Sequence, residues 1–566
     1  MKAIRNRIVI IFLGILVVFI TIGFRLFQIQ IVNNNFFSKE VAKQSKKIKK
    51  TYPLRGNIYD RRMTVLATSM PVESCYIEID KSKKEKIDAD FILEYCGMSV
   101  PEFLSKIQQK NGNKKSVLVK RKLLPEEVFK IKSKNLPGVY FEKEELRFYP
   151  ENSLANYVVG IAGMDNNGLS GIEYQFNSFL TGESNRYVVQ KDGKGREILL
   201  DNNRIADENR GYVVLTIDSR FQYVAESILK KAQQTNSAKS LTCIIQNPYT
   251  GEILAMATIP AYDPNKKILP KMLKNPAIND AFEPGSVFKI VTTAAAIEKH
   301  PEVIKEQFFC ENGSYKIAKD VTIHDHEKYG LLSFEEIFAY SSNIGFAKLS
   351  REIGKYNLWQ YARAFGFGTN TGIELPGETE GRLISPGKWS GVSCEMISFG
   401  QEISATALQI VNAYSAIANG GILLEPKIVT SVVKNNKKIQ FLEPVKIRRV
   451  ISPQTASTLK KMLEAVVDYG TGTNARISNL KVAGKTGTAQ KYDKQLKKYS
   501  HSKYVSLFAG FLPSDVPKVT ILVVVDEPKS DYWASSVAAP IFRQIAVGIL
   551  QYLGIQPEKK LVAGNF

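Results

Sequence analysis

Glu283-Pro284-Gly285-Ser286-Val287-Phe288-Lys289 places a hydroxyl and an amine three residues apart at the start of an apolar stretch. On a helix that spacing puts both side chains on one face. A serine becomes an effective nucleophile only beside a base. Lys289 is the base at hand, because the chain has only 4 histidines and none is near the motif in sequence. A solvated lysine with its ordinary pKa of ~10.4 is neutral in about one molecule in several thousand at pH 7. Lys289 must therefore be desolvated or sit beside another positive charge, for which Lys485 is the obvious source. By itself Ser-x-x-Lys also fits a serine that merely caps a helix.

Two further segments carry matching chemistry. Tyr340-Ser341-Ser342-Asn343 offers a hydroxyl and an amide, and Lys485-Thr486-Gly487-Thr488 offers a cation, two hydroxyls and a glycine. The elements that must position them can be read coarsely. Pro284 and Gly285 interrupt the chain, and the run from Val287 to Lys299 is apolar nearly all round, as expected of a central buried helix. The Lys485 segment falls on a strand predicted from residue 480. Strands over 480–483, 504–511 and 519–526 neighbour one another, and a hairpin joins 241–245 to 252–258 through Asn247-Pro248-Tyr249-Thr250-Gly251. A helix over 218–233 takes Asp218 or Ser219 as its cap, and Pro540 opens a last apolar helix over 541–553. Strands at both ends with helices between them predict a mixed α/β (α+β) domain, an antiparallel sheet flanked by helices on both faces. Residues 52–206 mix short β-like runs, such as 75–79 and 116–119, with Lys-rich connections and short helices such as 125–131. They read as an elongated spacer or docking module.

Length and charge narrow the partners. The chain has 566 residues, 44% of them hydrophobic, and a formal charge of +22. Such a basic chain suits nucleic acid, an anionic membrane surface or an anionic polymer. Residues 8–24 carry no charge and follow Lys2, Arg5 and Arg7. That pattern predicts an uncleaved anchor with the short N-terminus in the cytoplasm and the remainder outside. No small-residue cleavage site follows, which argues against a secretory signal peptide. Nucleic acid is thereby excluded as a partner. The 5 cysteines are scattered, so neither a zinc ribbon nor a disulfide scaffold is expected. Lys43, Lys46, Lys47, Lys49 and Lys50 read as a solvated face. His324-Asp325-His326 reads as a loop without a metal, and residues 491–503 as a solvated hairpin loop.

Taken together and in this order, the three motifs resemble those of serine β-lactamases and penicillin-binding proteins. The chain is similar over nearly its whole length to a class B penicillin-binding protein of the division (septal) type. Upstream marks are Arg55-Gly56-Asn57-Ile58-Tyr59-Asp60-Arg61, Arg147-Phe148-Tyr149-Pro150 and Gly168 to Glu173. Downstream marks include Ser398-Phe399-Gly400-Gln401 and Asp526-Glu527-Pro528-Lys529. One departure is Arg62-Met63, where the family pattern usually continues Asn-Gly.

The resemblance implies a D,D-transpeptidase that cross-links peptidoglycan stem peptides ending in D-Ala-D-Ala and is a target of β-lactams. It implies Ser286 as nucleophile, Lys289 as base, Ser341 as proton relay, and Asn343 as partner of a substrate amide. Lys485 supplies positive potential, Thr486 and Thr488 bind the substrate carboxylate, and Gly487 lets the substrate backbone approach. The backbone N–H groups of Ser286 and Thr488 form the oxyanion hole, and no cofactor or metal is needed. The implied parts are a cytoplasmic tail (1–7), an anchor (8–24), a pedestal of the dimerisation type (25–205), a transpeptidase domain (206–555) and a tail (556–566). The protein would sit in the cytoplasmic (inner) membrane as a single-pass protein, catalytic domain outside. Its partners would be a polytopic glycosyltransferase and other division proteins. An elongation-type transpeptidase, a D,D-carboxypeptidase or β-lactamase with the same site, and a non-enzymatic β-lactam sensor are the alternatives. No Glu-x-x-Asn lies between Asn343 and Lys485 to activate water for hydrolysis, and the single span does not suit a sensor. The absence of appended C-terminal modules disfavours the sporulation or Gram-positive variants that carry appended repeats.

Overall fold

The computed structural model describes residues 1–51, 54–78, 97–99, 101–102, 105, 116–136, 138–181, 185–191, 197–199, 211–434, 437–441, 443–493 and 498–555. The side chains of Lys43 to Lys50 and the tail 556–566 lie outside the described residues. By packing, the chain divides into two compact units, residues 1–53 with 182–209 and residues 54–181 with 210–566.

In the first unit, the helix Lys2–Phe27 continues into a π-turn, Gln28–Val32. Among the described residues it is the one helix long and apolar enough to cross a membrane. The helix Asn34–Ser45 follows. The strands Lys46–Thr51, Asn185–Lys191 and Glu197–Leu199 then form a three-stranded antiparallel sheet.

The second unit is built on a five-stranded antiparallel sheet. Its strands are β1 (Ser240–Gln246), β2 (Ile253–Ile259), β3 (Ala483–Asp493), β4 (Lys498–Leu512) and β5 (Val519–Asp526), in the order β2-β1-β5-β4-β3. Six helices matter for the site or its support: α1 (Ser219–Asn236), α2 (Lys289–Lys299), α3 (Asn343–Ile353), α4 (Ala407–Ala418), α5 (Pro453–Asp468) and α6 (Ala538–Leu550). The central strands β1 and β5 are predominantly apolar and almost wholly buried because both faces are covered. Strand alternation sends Ile244, Leu522 and Val524 into one core with α2 and α4. The intervening Cys243, Ile245, Ile521 and Val523 go into a second core with α1 and α6. The layered α/β architecture expected from the sequence is the one observed.

One local expectation is resolved and two change. Asp218 caps α1, its carboxylate accepting from Arg220 N–H, so Ser219 is the first helical residue. Residues 477–480 form a turn in which Asn479 has φ of 59°, so β3 begins only at Ala483 and carries Lys485 inside it. The segment 491–503 is not a solvated loop in its described part. β3 and β4 extend into a ribbon that pairs Tyr492 with Tyr499 and Asp493 with Lys498, and Lys491 bonds to Asp526 at 2.7 Å and Glu527 at 2.8 Å. The polar composition hid this because in a two-stranded ribbon cross-strand pairing, not burial, supplies the contacts.

Residues 54–181 share the core of the same unit. Ile58–Tyr59 runs parallel to Tyr212–Leu215, joining the strand Val65–Glu78 and its neighbours to Val429–Lys434. Beside this junction the three upstream sequence marks meet in a buried ion triad. Glu173 accepts from Arg55 Nε and from Arg147 Nε, both at 2.6 Å, and all three residues are buried. Arg55 also donates to Asn177 and to the Asn166 and Glu173 carbonyls, and Arg147 to the Gly56 carbonyl. Removing the shared carboxylate strands two guanidinium groups in the interior. Glu173→Ala is therefore expected to destabilise this unit by ~3–5 kcal/mol, seen as a lowered thermal midpoint; an unchanged midpoint would contradict the role given to the triad.

Candidate active site

Ser286 lies on a 3₁₀ turn, Gly285–Phe288, and α2 begins at Lys289. Pro284 and Gly285, with φ of 57° at the glycine, direct the chain into that turn. The turn is fixed from several sides. Phe288 packs edge-on against Phe367 with centroids 5.1 Å apart, and the buried Tyr414 hydroxyl of α4 donates to Val287 O at 3.0 Å. Gly285 N–H donates to Gly400 O at 3.1 Å. Gly400 has φ of 85°, and a Cβ there would stand 2.2 Å from Gly285 O, so glycine alone lets the 398–401 loop seat on the turn.

Lys289 is fully buried. Its Nζ donates to the Ser341 carbonyl at 2.6 Å, the Ser341 Oγ at 3.1 Å and the Asn343 Oδ1 at 3.0 Å, and it stands 5.0 Å from the Phe346 ring centroid. Burial pushes its pKa down to about 7, opposed by the negative charge of Asp325. Lys485 is also fully buried, and burial beside the Lys289 charge holds it well below the ordinary lysine range. Desolvation is the largest cause at both amines, and the repulsion between Lys289 and Lys485, which acts on both, works in the same direction.

The Ser341–Asn343 segment is held by Asp325, which the sequence analysis read only as part of a loop. Asp325 Oδ1 accepts from Asn343 N–H at 2.5 Å and Ile344 N–H at 3.1 Å, and its Oδ2 from the Ser342 hydroxyl at 2.6 Å. A carboxylate at the N-terminus of α3 satisfies free N–H groups and suits the helix dipole. Ser342 completes the cap by accepting from Gly345 N–H at 2.9 Å. The preceding Ser341 is held at φ of 62°, an uncommon conformation for a non-glycine residue that presents both its carbonyl and its hydroxyl to Lys289. Asn343 Nδ2 donates to His324 O at 3.1 Å, so one of its two amide hydrogens remains for a ligand.

Ser286, Ser341, Asn343, Thr486 and Thr488 line one cavity of about 520 Å³, bordered by β3 at the edge of the sheet. Lys289 and Lys485 are not in its wall but buried near it. Gly487 also serves the packing: a Cβ there would come within 2.9 Å of Val287 Cγ1 and 3.0 Å of Pro284 O, so glycine lets β3 approach the turn that carries Ser286. Thr486 Oγ1 shares a hydrogen bond of 2.6 Å with Thr471 Oγ1, and Thr488 Oγ1 accepts from Ala534 N–H at 3.1 Å. Thr471, Trp533 and Tyr499 also line the cavity. None had a sequence signal beyond, for Tyr499, an aromatic set in a lysine-rich run. His326 stacks against Trp533, with centroids 4.3 Å apart. Among the described residues no group of three or more His, Cys, Asp or Glu side chains is arranged to hold a metal ion. The arrangement suits acyl transfer: a hydroxyl on a rigid turn near a desolvated amine, with an amide, hydroxyls and a free strand edge to hold an extended peptide.

The chain is similar to known proteins over most of its length. The profile of the penicillin binding protein transpeptidase domain matches residues 241–546, and that of the penicillin-binding protein dimerisation domain matches residues 50–216. Stage V sporulation protein D of Bacillus subtilis is 32% identical, covering 100% of this chain and 88% of that protein. A probable peptidoglycan D,D-transpeptidase PenA of Neisseria meningitidis is 31% identical, covering 99% and 95%. The peptidoglycan D,D-transpeptidase FtsI of Buchnera aphidicola is 31% identical, covering 94% and 93%. Among solved structures, penicillin binding protein 3 of Mycobacterium tuberculosis complexed with aztreonam superposes with a TM-score of 0.70 at 28% identity, covering 91% of this chain and 99% of that one.

The Asp325 clamp has a measurable consequence. Lys289 becomes neutral, and able to accept a proton, as pH rises through about 7. Asp325 holds that value up, so Asp325→Asn is expected to move the rise in Ser286 acylation to lower pH. The pH dependence of labelling by a fluorescent penicillin checks this; a midpoint at or above that of the wild type would contradict it.

Proposed function

The chain belongs to the class B penicillin-binding proteins, a family of peptidoglycan D,D-transpeptidases, and we propose that it cross-links stem peptides through an acyl-enzyme on Ser286 during septal wall synthesis. The observation that carries the reading is the buried amine of Lys289, whose pKa of about 7 makes a lysine usable as a base at neutral pH. Lys289 takes the Ser286 proton as Oγ attacks the carbonyl of the penultimate D-Ala. The backbone N–H groups of Ser286 and Thr488 hold the oxyanion. The C–N bond to the terminal D-Ala breaks, and the proton held by Lys289 passes through Ser341 to the leaving amine. The amine of a second stem peptide then attacks the ester, loses a proton to the same relay and releases Ser286.

Asn343 holds a peptide amide of the donor. Thr486 and Thr488, backed by the positive potential of Lys485, hold its terminal carboxylate. A β-lactam enters the same path; the mycobacterial relative has been solved complexed with aztreonam and with ampicillin. The apolar helix Lys2–Phe27 anchors the chain in the cytoplasmic membrane, with its N-terminus inside and the catalytic region outside. As the family resemblance implies, a polytopic glycosyltransferase supplies the glycan strands, and other division proteins assemble with it. The Asp526-Glu527-Pro528-Lys529 segment supports the septal over the elongation role.

Ser286→Ala is expected to abolish fluorescent-penicillin labelling, and Lys289→Met to slow it by about 10²–10⁴-fold; equal labelling of Ser286→Ala and wild type would overturn the assignment. A fluorescent fusion of the full chain is expected at the septum. Signal spread along the sidewall would replace the septal role with the elongation one.

A further inference from the structure

Glu283 stands three residues before Ser286 and is not part of the cavity wall, yet it ties together three segments that shape the cavity. Its Oε1 accepts from the Tyr499 hydroxyl at 3.0 Å and from Glu402 N–H at 3.2 Å. Tyr499 belongs to the β3–β4 ribbon, where its ring meets Tyr492 edge-on at 5.6 Å, and it lines the cavity. Glu402, at φ of 57°, ends the loop whose Gly400 seats on the nucleophile turn. Glu283 Oε2 is buried without a hydrogen-bond partner.

Three groups face this carboxyl: the Tyr499 phenol, the Glu402 carboxylate, itself accepting from Ser393 Oγ at 2.5 Å, and the Arg382 guanidinium. A neutral carboxyl suits such a place. Its carbonyl oxygen serves both donors, whereas a carboxylate would leave a charged oxygen buried without a donor and repelled by Glu402. Burial pushes Glu283 up to about 7; the bonds from Tyr499 and Glu402 N–H and the charge of Arg382 oppose it, while the Glu402 charge adds to it.

We propose that Glu283 is a positioning residue for acylation of Ser286: its neutral carboxyl fastens the ribbon and the 398–402 loop to the nucleophile turn, and its ionisation loosens that fastening. The inference rests on Ser286 being the acylated residue. The sign is fixed by linkage. Glu283 holds its proton more tightly in the folded chain than in the unfolded one, so the fastening is complete below the ordinary carboxylate range and is lost as pH rises through about 7. Lys289 runs the other way, becoming an active base as pH rises through about 7. Two opposed ionisations give a bell-shaped acylation profile.

The test is the labelling rate of the detergent-solubilised full chain with a fluorescent penicillin, from about pH 5.5 to about pH 9. Glu283→Gln keeps the carbonyl acceptor and cannot ionise, so it is expected to keep the rising limb and lose the falling one. A falling limb that persists in Glu283→Gln overturns the proposal. Tyr499→Phe removes one fastening and is expected to slow labelling several-fold below pH 7 and less above it, with no further slowing when combined with Glu283→Gln. Equal slowing at every pH, or none, overturns the proposal even if Glu283→Gln does not fold. Labelling that survives in Ser286→Ala would overturn the acyl-enzyme reading itself, a result distinct from either outcome at Glu283.

Discussion

An amine removed from water must be neutral or well partnered, and the catalytic region is organised around meeting that condition at Lys289. All three hydrogen-bond acceptors of its Nζ come from Ser341 and Asn343. Lys289, the Ser341 hydroxyl and the Asn343 amide are therefore one connected group. Lys485, buried as well, places a second amine in the same dry region. Two like charges cannot both be kept there cheaply, and the neutral lysine that acyl transfer needs follows from burial.

The scaffold can be read as what holds that group still. Asp325 pins the start of α3 and with it the left-handed Ser341. Gly400 and Gly487 permit a loop and a strand to close on the nucleophile turn where any side chain would collide. β1 and β5, apolar on both faces, bind the helices that carry these segments into one layered body. Strain at Ser341 is maintained because the surrounding contacts over-determine it.

Much of this was legible in the sequence because acyl transfer demands particular residue types at short, fixed spacings. Ser286 with Lys289, Ser341 with Asn343, and Lys485 with Thr486 and Thr488 each lie within four residues, and the structure brings the three groups together. The layer order was legible too, since β1 and β5 are short, predominantly apolar runs. What stayed hidden depends on partners distant in the chain. Asp325 works through backbone N–H groups, which no residue type announces. Arg55, Arg147 and Glu173 were visible only as marks of the family; the triad that explains them joins positions 118 and 26 residues apart. Tyr499 sits in a lysine-rich run that looks solvated until the ribbon register sets it against Tyr492 and Glu283.

A direct reading of the Lys289 charge tests the centre of this scheme. Lysines labelled with ¹³C at Cε can be followed by NMR through a pH titration, the Lys289 signal being identified by its loss in Lys289→Met. The expected result is a Lys289 resonance that titrates near pH 7. A Lys289 that keeps its proton up to the ordinary lysine value of ~10.4 would contradict the role of burial in making it the base.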